Sequence, residues 1–250
     1  MRVAADFRRI ARNALRGKWG FAVIAGLLAA LLGGTQLGSP EFQLELEGGH
    51  AQFSLDFAGQ TIFSTGGTAD SAVGAFLAGS AGVIILLAIV SALLFFVLGS
   101  VVETGYARFN LALIDHQTPS IGQLFSDFHR WSTLVVSRLL RSLYMLLWTL
   151  LLIIPGIMAA YSYAMTPYIL AENPQMQASE AIACSKEMMR GNRWRLFCLQ
   201  FSFIGWSILS SITLGIGNLW LTPYRQAAEA AFYRDLTGRS AAYDPQEPWA

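Results

Sequence analysis

The chain is poor in charge. Only 13% of its 250 residues are Asp, Glu, Lys or Arg, and their formal sum is +1. A soluble domain carries about 25% charged residues. Half of that cannot cover a water-facing surface of this size. The near-neutral balance also lacks the basic field that nucleic-acid binding requires. Cysteine is equally scarce. Cys184 and Cys198 are the whole complement, and they form no C-x-x-C pair. They read as small packing residues in a reducing compartment. The histidines, His50, His116 and His129, are distant from one another, so no H-E-x-x-H spacing arises. No P-loop, nucleophile elbow or paired acidic motif is present. The chain therefore reads as a non-enzyme, with no catalytic residue, no metal ligand and no cofactor.

What is abundant is apolar surface. Hydrophobic residues make up 54% of the chain and the mean hydropathy is +0.46. A chain that cannot hide this much apolar surface from water belongs in lipid. Hydrophobic runs mark spans at about 20–37, 75–102, 132–154, 157–170, 195–214 and 218–233. Three amphipathic helices are expected just before the odd-numbered spans. In residues 1–18, Phe7, Ile10, Ala11, Ala14 and Leu15 share one face and Arg8, Arg9, Arg12 and Arg16 the other. This basic helix fits the interface of an anionic leaflet. Ile121, Leu124, Phe125 and Phe128 mark the second amphipathic helix. Ala178, Ala181, Ile182, Ser185 and Met189 mark the third, ended by Gly191 and Asn192. Trp19, Trp131 and Trp194 follow them, at the level where indoles favour the headgroup boundary.

Basic residues fall in four clusters, Arg2 to Lys18, Arg108 to Arg141, Lys186 to Arg195 and Arg225 to Arg239, with none between Lys18 and Arg108. The positive-inside rule puts each cluster on the cytoplasmic side, so the chain crosses an even number of times between them. Pro155-Gly156 and Gly215-Ile216-Gly217 then read as external turns. The fold expected is an all-α polytopic membrane bundle of six transmembrane helices, arranged as three hairpins in the cell membrane. Both termini are cytoplasmic, 237–250 is a polar tail, and the first helix is kept as an anchor. The fourth span, from Ile157 to Leu170, is short at about 21 Å. The external loop 38–71 alternates Phe42, Leu44 and Leu46 with polar residues, then Phe53, Leu55 and Phe57 likewise, around Gly48-Gly49. That is the pattern of a small β-hairpin.

A short phrase recurs in the second half of each hairpin: Thr104-Gly105-Tyr106, Thr166-Pro167-Tyr168 and Thr222-Pro223-Tyr224. Each places a helix-loosening residue between Thr and Tyr. Pro167 and Pro223 each free a carbonyl one turn earlier, and freed carbonyls in broken helices coordinate solutes in transporters. Glu103, Arg138, Arg141, Arg225 and Glu229 lie in or beside spans, where an ionisable group is expensive and marks function. Arg225 and Glu229 are four apart, at ion-pair spacing. The alternative is that prolines only shape packing and the charges sit at the interface.

Several segments resemble one bacterial integral membrane family. They are Ala11 to Trp19, Ser162 to Pro174, Ser185 to Gly191, Phe201 to Trp206, Thr213 to Gly217 with Thr222-Pro223-Tyr224, and Ala231 to Tyr233. The family is catalogued as domain of unknown function 975. The resemblance implies a membrane location and a helical fold, and transfers no site residues. Stretch 38–71 has no counterpart in it. Three functional expectations stand beside one another, the least favoured being a membrane-embedded enzyme acting on lipid. The favoured one is a non-catalytic protein that organises or assists envelope components, its partners being the bilayer, anionic lipid through residues 1–18, and other membrane proteins. The alternative is a small-solute or lipid transporter built on the Thr-Pro-Tyr breaks. A polar mid-depth cavity lined by Thr166, Tyr168, Thr222, Tyr224 and Arg225 would favour transport.

Overall fold

A computed structural model describes residues 2–35, 41–47, 50–57, 60–65, 72–213 and 215–238. The order is α1 (Ala4–Leu15), α2 (Trp19–Leu31), β1 (Glu41–Glu47), β2 (His50–Phe57), β3 (Gln60–Thr65), α3 (Ala72–Ile114), α4 (Trp131–Leu151), α5 (Ile153–Tyr163), α6 (Thr166–Glu172), α7 (Ala178–Met188), α8 (Arg193–Phe201), α9 (Ile204–Ile212) and α10 (Asn218–Leu236). Three stretches among the described residues are long and apolar enough to cross a membrane: Val90–Ile114, Ile121–Leu151 and Arg193–Ile212. A fourth arises if α1 and α2, bent by 105°, count as one.

Three sets of contacts between consecutive helices run antiparallel, α2 with α3, α4 with α5, and α8 and α9 with α10. In the first, the Phe21 and Phe109 rings stack at 6.0 Å, and a Cβ on Gly99 would lie 2.5 Å from the Gly33 carbonyl oxygen. In the second, α5 folds back on α4: a Cβ on Gly156 would meet Thr149 Oγ1 at 2.3 Å, and Tyr144 pairs with Tyr163. In the third, Ser210 donates to Asn218 at 2.8 Å, Phe203 meets Tyr224 edge-on at 5.1 Å, and Arg195 reaches Asp235 at 2.6 Å. Partners advance in opposite directions along each pair.

Several boundaries differ from expectation, each for a local reason. The first span stops at Leu31, six residues before Leu37. Gly33 adopts φ +74°, Gly34 N–H donates to Ala29 at 2.7 Å and Gly33 N–H to Ala30 at 3.1 Å. This is a Schellman termination, which Gly permits at no steric cost. The second span is one helix running to Ile114. Gly105 does not loosen it. Its missing side chain admits the Leu124 carbonyl oxygen, which an added Cβ would meet at 2.3 Å.

The reversal expected at Pro155-Gly156 occurs at Leu152, whose backbone is extended (φ −162°, ψ 140°). Pro155 lies in the first turn of α5, where a missing N–H costs nothing. With α6, α5 covers 153–172, about 30 Å of helix by rise per residue, so the fourth segment is not short. The 121–130 segment is two short 3-10 helices, Ile121–Phe125 and Phe128–Arg130, in place of an amphipathic α-helix. Of its apolar positions, Leu124 is buried while Phe125 and Phe128 stay exposed. Spacing alone could not reveal that this stretch docks on Gly105.

In loop 38–71 the described residues form a three-stranded antiparallel sheet in the order β1-β2-β3. Phe42 pairs with Leu55 and Leu44 with Phe53, and β3 adds Phe63 opposite Leu55. The turn at Gly48-Gly49 and the tail from 239 lie outside the described residues, as do 36–37 and Leu214 at two span ends.

The core lies at the end of the bundle that holds α1, the last turns of α3, α6 and α10. Phe7, Ala11, Ala14 and Leu15 are buried there, with Phe7 edge-on to Phe232 at 5.3 Å. The apolar stripe of α1 is thus spent on protein, while Arg9, Arg12 and Arg16 stay exposed. At the opposite end the apolar residues face outward: Leu146, Leu147, Leu150 and Leu151 on α4, and Ile204, Ile208 and Ile212 on α9. Leu150 is 83% exposed and Ile212 73%. An apolar belt of this size is not a surface for water.

Candidate functional site

A cavity of about 450 Å³ opens among α3, α4, α5, α6, α8 and α10. The first half of its lining follows from the α2 termination. The Schellman turn leaves the Gly33 carbonyl without a helical partner, and Arg138 Nη1 donates to it at 3.1 Å. A cation at a helix C-terminus is favourable. Glu103 lies next to this turn, because Gly34 packs on Val102 and the Glu103 backbone. Arg141 Nη2 donates to both Glu103 carboxylate oxygens at 3.0 Å, and Arg138 Nε stands 4.0 Å from Oε2. Two arginines one turn apart on α4 thus close on one α3 carboxylate. Arg138 also lies over the Phe96 ring, 5.2 Å from its centroid.

The second half comes from α6, α8 and α10. Tyr168 donates to Gln226 Oε1 at 3.1 Å, and Gln200 Nε2 donates to Glu229 Oε1 at 3.1 Å. Arg225 and Glu229 make no ion pair, despite their spacing. Glu229 takes the Gln200 amide instead. No hydrogen bond or ion pair of Arg225 is found among the described residues, and its Nε is buried without a partner. Tyr106 Oη and Thr35 Oγ1 are also buried, unpartnered, and on the cavity wall.

Seven of the eleven residues singled out from the sequence therefore line one cavity: Glu103, Arg138, Arg141, Pro167, Tyr168, Arg225 and Glu229. The other four do not. Thr166 is fully buried and its hydroxyl donates to the Tyr163 carbonyl at 2.8 Å. That is the carbonyl Pro167 frees, so it is already satisfied and open to no solute. Thr222 and Pro223 are buried inside an unbroken α10, with Pro223 against Gly26. Tyr224 donates to the Arg8 carbonyl at 3.2 Å, tying α10 to α1. It lines a different, mostly apolar groove of about 780 Å³ with Arg12, Arg16, Trp19, Trp206 and Trp220.

The sequence reading missed Thr35, Tyr106, Gln200 and Gln226 in the cavity. Gln200 carried a visible signal, as an amide inside the apolar run Leu199-Gln200-Phe201. It also missed a latch at the core end. Arg234, only 7% exposed, donates to Asp115 and to Glu172, and Tyr233 donates to Glu172 at 2.7 Å. Beside it Arg108 bonds Asp127 at 3.1 Å and the Ala171 carbonyl at 2.9 Å. Among the described residues no group of three His, Cys, Asp or Glu side chains could hold a metal ion.

With this geometry in place, the helices from the end of α4 to α10 have a counterpart among known families. The chain is similar to the family described as Protein of unknown function (DUF975), whose model matches residues 149–240. No curated protein and no solved structure matches the chain. The DUF975 segment carries Tyr168, Gln200, Arg225, Gln226 and Glu229. Thr35, Glu103, Tyr106, Arg138 and Arg141 come from outside it. The cavity is thus closed between the matched segment and the helices that precede it.

Proposed function

We propose that this chain is a non-catalytic, polytopic protein of the cell membrane that takes a small polar solute into the cavity among its helices and carries it across. The single observation behind this reading is the convergence of three buried, unpartnered polar atoms on one cavity. An orphaned buried donor costs about 1–3 kcal/mol, and three in one place are best accounted for by a ligand that satisfies them. The sequence alone favoured an organising role. The cavity supports transport instead, although of the five residues expected to line it only Tyr168 and Arg225 do.

In this reading α2, α3, α4, α5 with α6, α8 with α9, and α10 make six crossings, and both termini lie in the cytoplasm. The outward Leu and Ile belt supports the membrane setting, and the antiparallel pairs support the even crossings. Glu103 is eleven residues from the end of α3, about 16 Å along the helix. Arg108, in the second basic cluster, is five residues from Glu103, about 7.5 Å along the helix, so in this reading the cavity lies toward the cytoplasmic side of a ~30 Å hydrocarbon core.

The direct test is solute flux in proteoliposomes, comparing wild type with Arg225→Ala. Flux that falls with the substitution supports transport. Absence of flux for every solute class offered removes it. The topology is tested separately, by labelling Met176→Cys in a chain freed of Cys184 and Cys198. Reaction from outside intact cells would remove the six-crossing arrangement. A second reading, an accessory protein that holds lipid, is favoured by the apolar groove beside Arg12 and Arg16. Persistent binding of one lipid there with no flux would select it.

A further inference from the structure

Each unpartnered buried group in the cavity can donate a hydrogen bond, and the guanidinium can do nothing else, which narrows what they await. Arg225 Nε–H, the Tyr106 hydroxyl and the Thr35 hydroxyl have no partner. Both carboxylates already have a donor. Arg141 covers both Glu103 oxygens, Arg138 adds a second cation beside them, and Gln200 donates to Glu229. A cation would find no free carboxylate cage, and a neutral solute would leave a guanidinium uncompensated. Of the five ionisable side chains considered, three are Arg and two Glu, so the wall carries a surplus of one positive charge. Arg225 is half-buried, its Nε is enclosed and it makes no ion pair among the described residues, so a counter-charge beside it is favoured.

We propose that the cavity binds a monovalent anion through a carboxylate or phosphate group, with Arg225 as the anchoring cation and Tyr106 and Thr35 as hydroxyl donors. The proposal rests on the cavity being the solute site and names the chemistry that site selects. An Arg fork suits the planar oxygens of a carboxylate or phosphate. Glu103 stays neutralised by its two arginines and lends no negative field. At about 30 Å³ per water molecule, 450 Å³ corresponds to roughly fifteen heavy atoms. The anion can reach the site as a free solute or as the head of an anionic phospholipid.

The experiment uses the full chain in phosphatidylcholine nanodiscs, titrated with sodium acetate or sodium phosphate against choline chloride at matched ionic strength. Thermal unfolding and equilibrium binding of radiolabelled acetate and phosphate are read together. Wild type should bind one of these anions saturably and unfold at a higher temperature in its presence. Arg225→Gln should bind about ten- to a hundredfold more weakly, and Tyr106→Phe about tenfold, both with an unliganded midpoint no lower than that of the wild type. Arg225→Lys should keep part of the response. A second arm replaces a third of the lipid with phosphatidylglycerol. Stabilisation by phosphatidylglycerol alone, lost in Arg225→Gln, assigns the anion to a headgroup. Stabilisation by the free anion, lost in the same variant, assigns it to a solute. Either result supports an anion site.

The proposal is overturned if choline chloride stabilises as well as acetate or phosphate, if Arg225→Gln keeps full binding, or if neither arm responds. Anion binding without flux would remove transport and leave this site standing. Flux of a cation or a sugar without anion binding would do the reverse.

Discussion

Replacing Arg234 with Ala should unfold the core end of the protein first. Arg234 is 7% exposed and holds Asp115 and Glu172, which arrive from the ends of α3 and α6. Its removal takes the cation from Asp115 and one cation from Glu172, and strips the Tyr233–Glu172 bond of its support. Removing one partner of a buried ion pair costs about 3–5 kcal/mol. For a chain of this length each kcal/mol moves the midpoint by about 2–4 °C, so a loss of about 6–20 °C is expected. The assay is thermal unfolding of the detergent-purified protein by near-ultraviolet circular dichroism. Arg234→Lys should recover only part, because an ammonium cannot span two carboxylates as a fork does. Adding Asp115→Asn and Glu172→Gln to Arg234→Met should restore most of the loss, since neutral amides need no counter-charge. A midpoint shift under about 2 °C in Arg234→Ala would refute the latch. So would failure of the neutralised triple variant to recover.

Other predictions follow from single contacts. Gly105→Ala should destabilise by about 1–3 kcal/mol, because the new Cβ would sit 2.3 Å from the Leu124 carbonyl oxygen. A shorter chemical-denaturation midpoint measures it, and Gly20→Ala, with nothing within 4 Å, is the control. Thr149→Cys with Gly156→Cys, in a chain freed of Cys184 and Cys198, should cross-link within one chain under mild oxidation. The positions face each other with a built Cβ 3.0 Å from the Thr149 Cβ, and no intramolecular cross-link would refute the α4–α5 reversal. Arg138→Gln should cost about 0.3–2 kcal/mol by removing the cation at the α2 terminus. It should also raise hydrogen exchange in the last turn of α2 more than in α10, and equal exchange would refute that role.

The chain's own letters settled a good deal. Low charge and long apolar runs pointed to helices long and apolar enough to cross a membrane, and three such stretches are among the described residues. The grouping of Lys and Arg and the turn residues near 155 and 215 marked where the chain reverses. Ionisable residues inside apolar runs pointed at the cavity, since burying them is costly enough to require a reason. Only the tertiary structure decided which charges meet. Glu103 to Arg141 spans 38 residues and Arg234 to Asp115 spans 119, distances at which no periodicity reports contact. It also decided that Glu229, at ideal helical spacing from Arg225, takes the Gln200 amide instead, and that the carbonyl freed by Pro167 is closed by Thr166. Local pattern reports what a residue can do along its own helix. Which atom satisfies a buried donor depends on the neighbouring helix, and that choice belongs to packing.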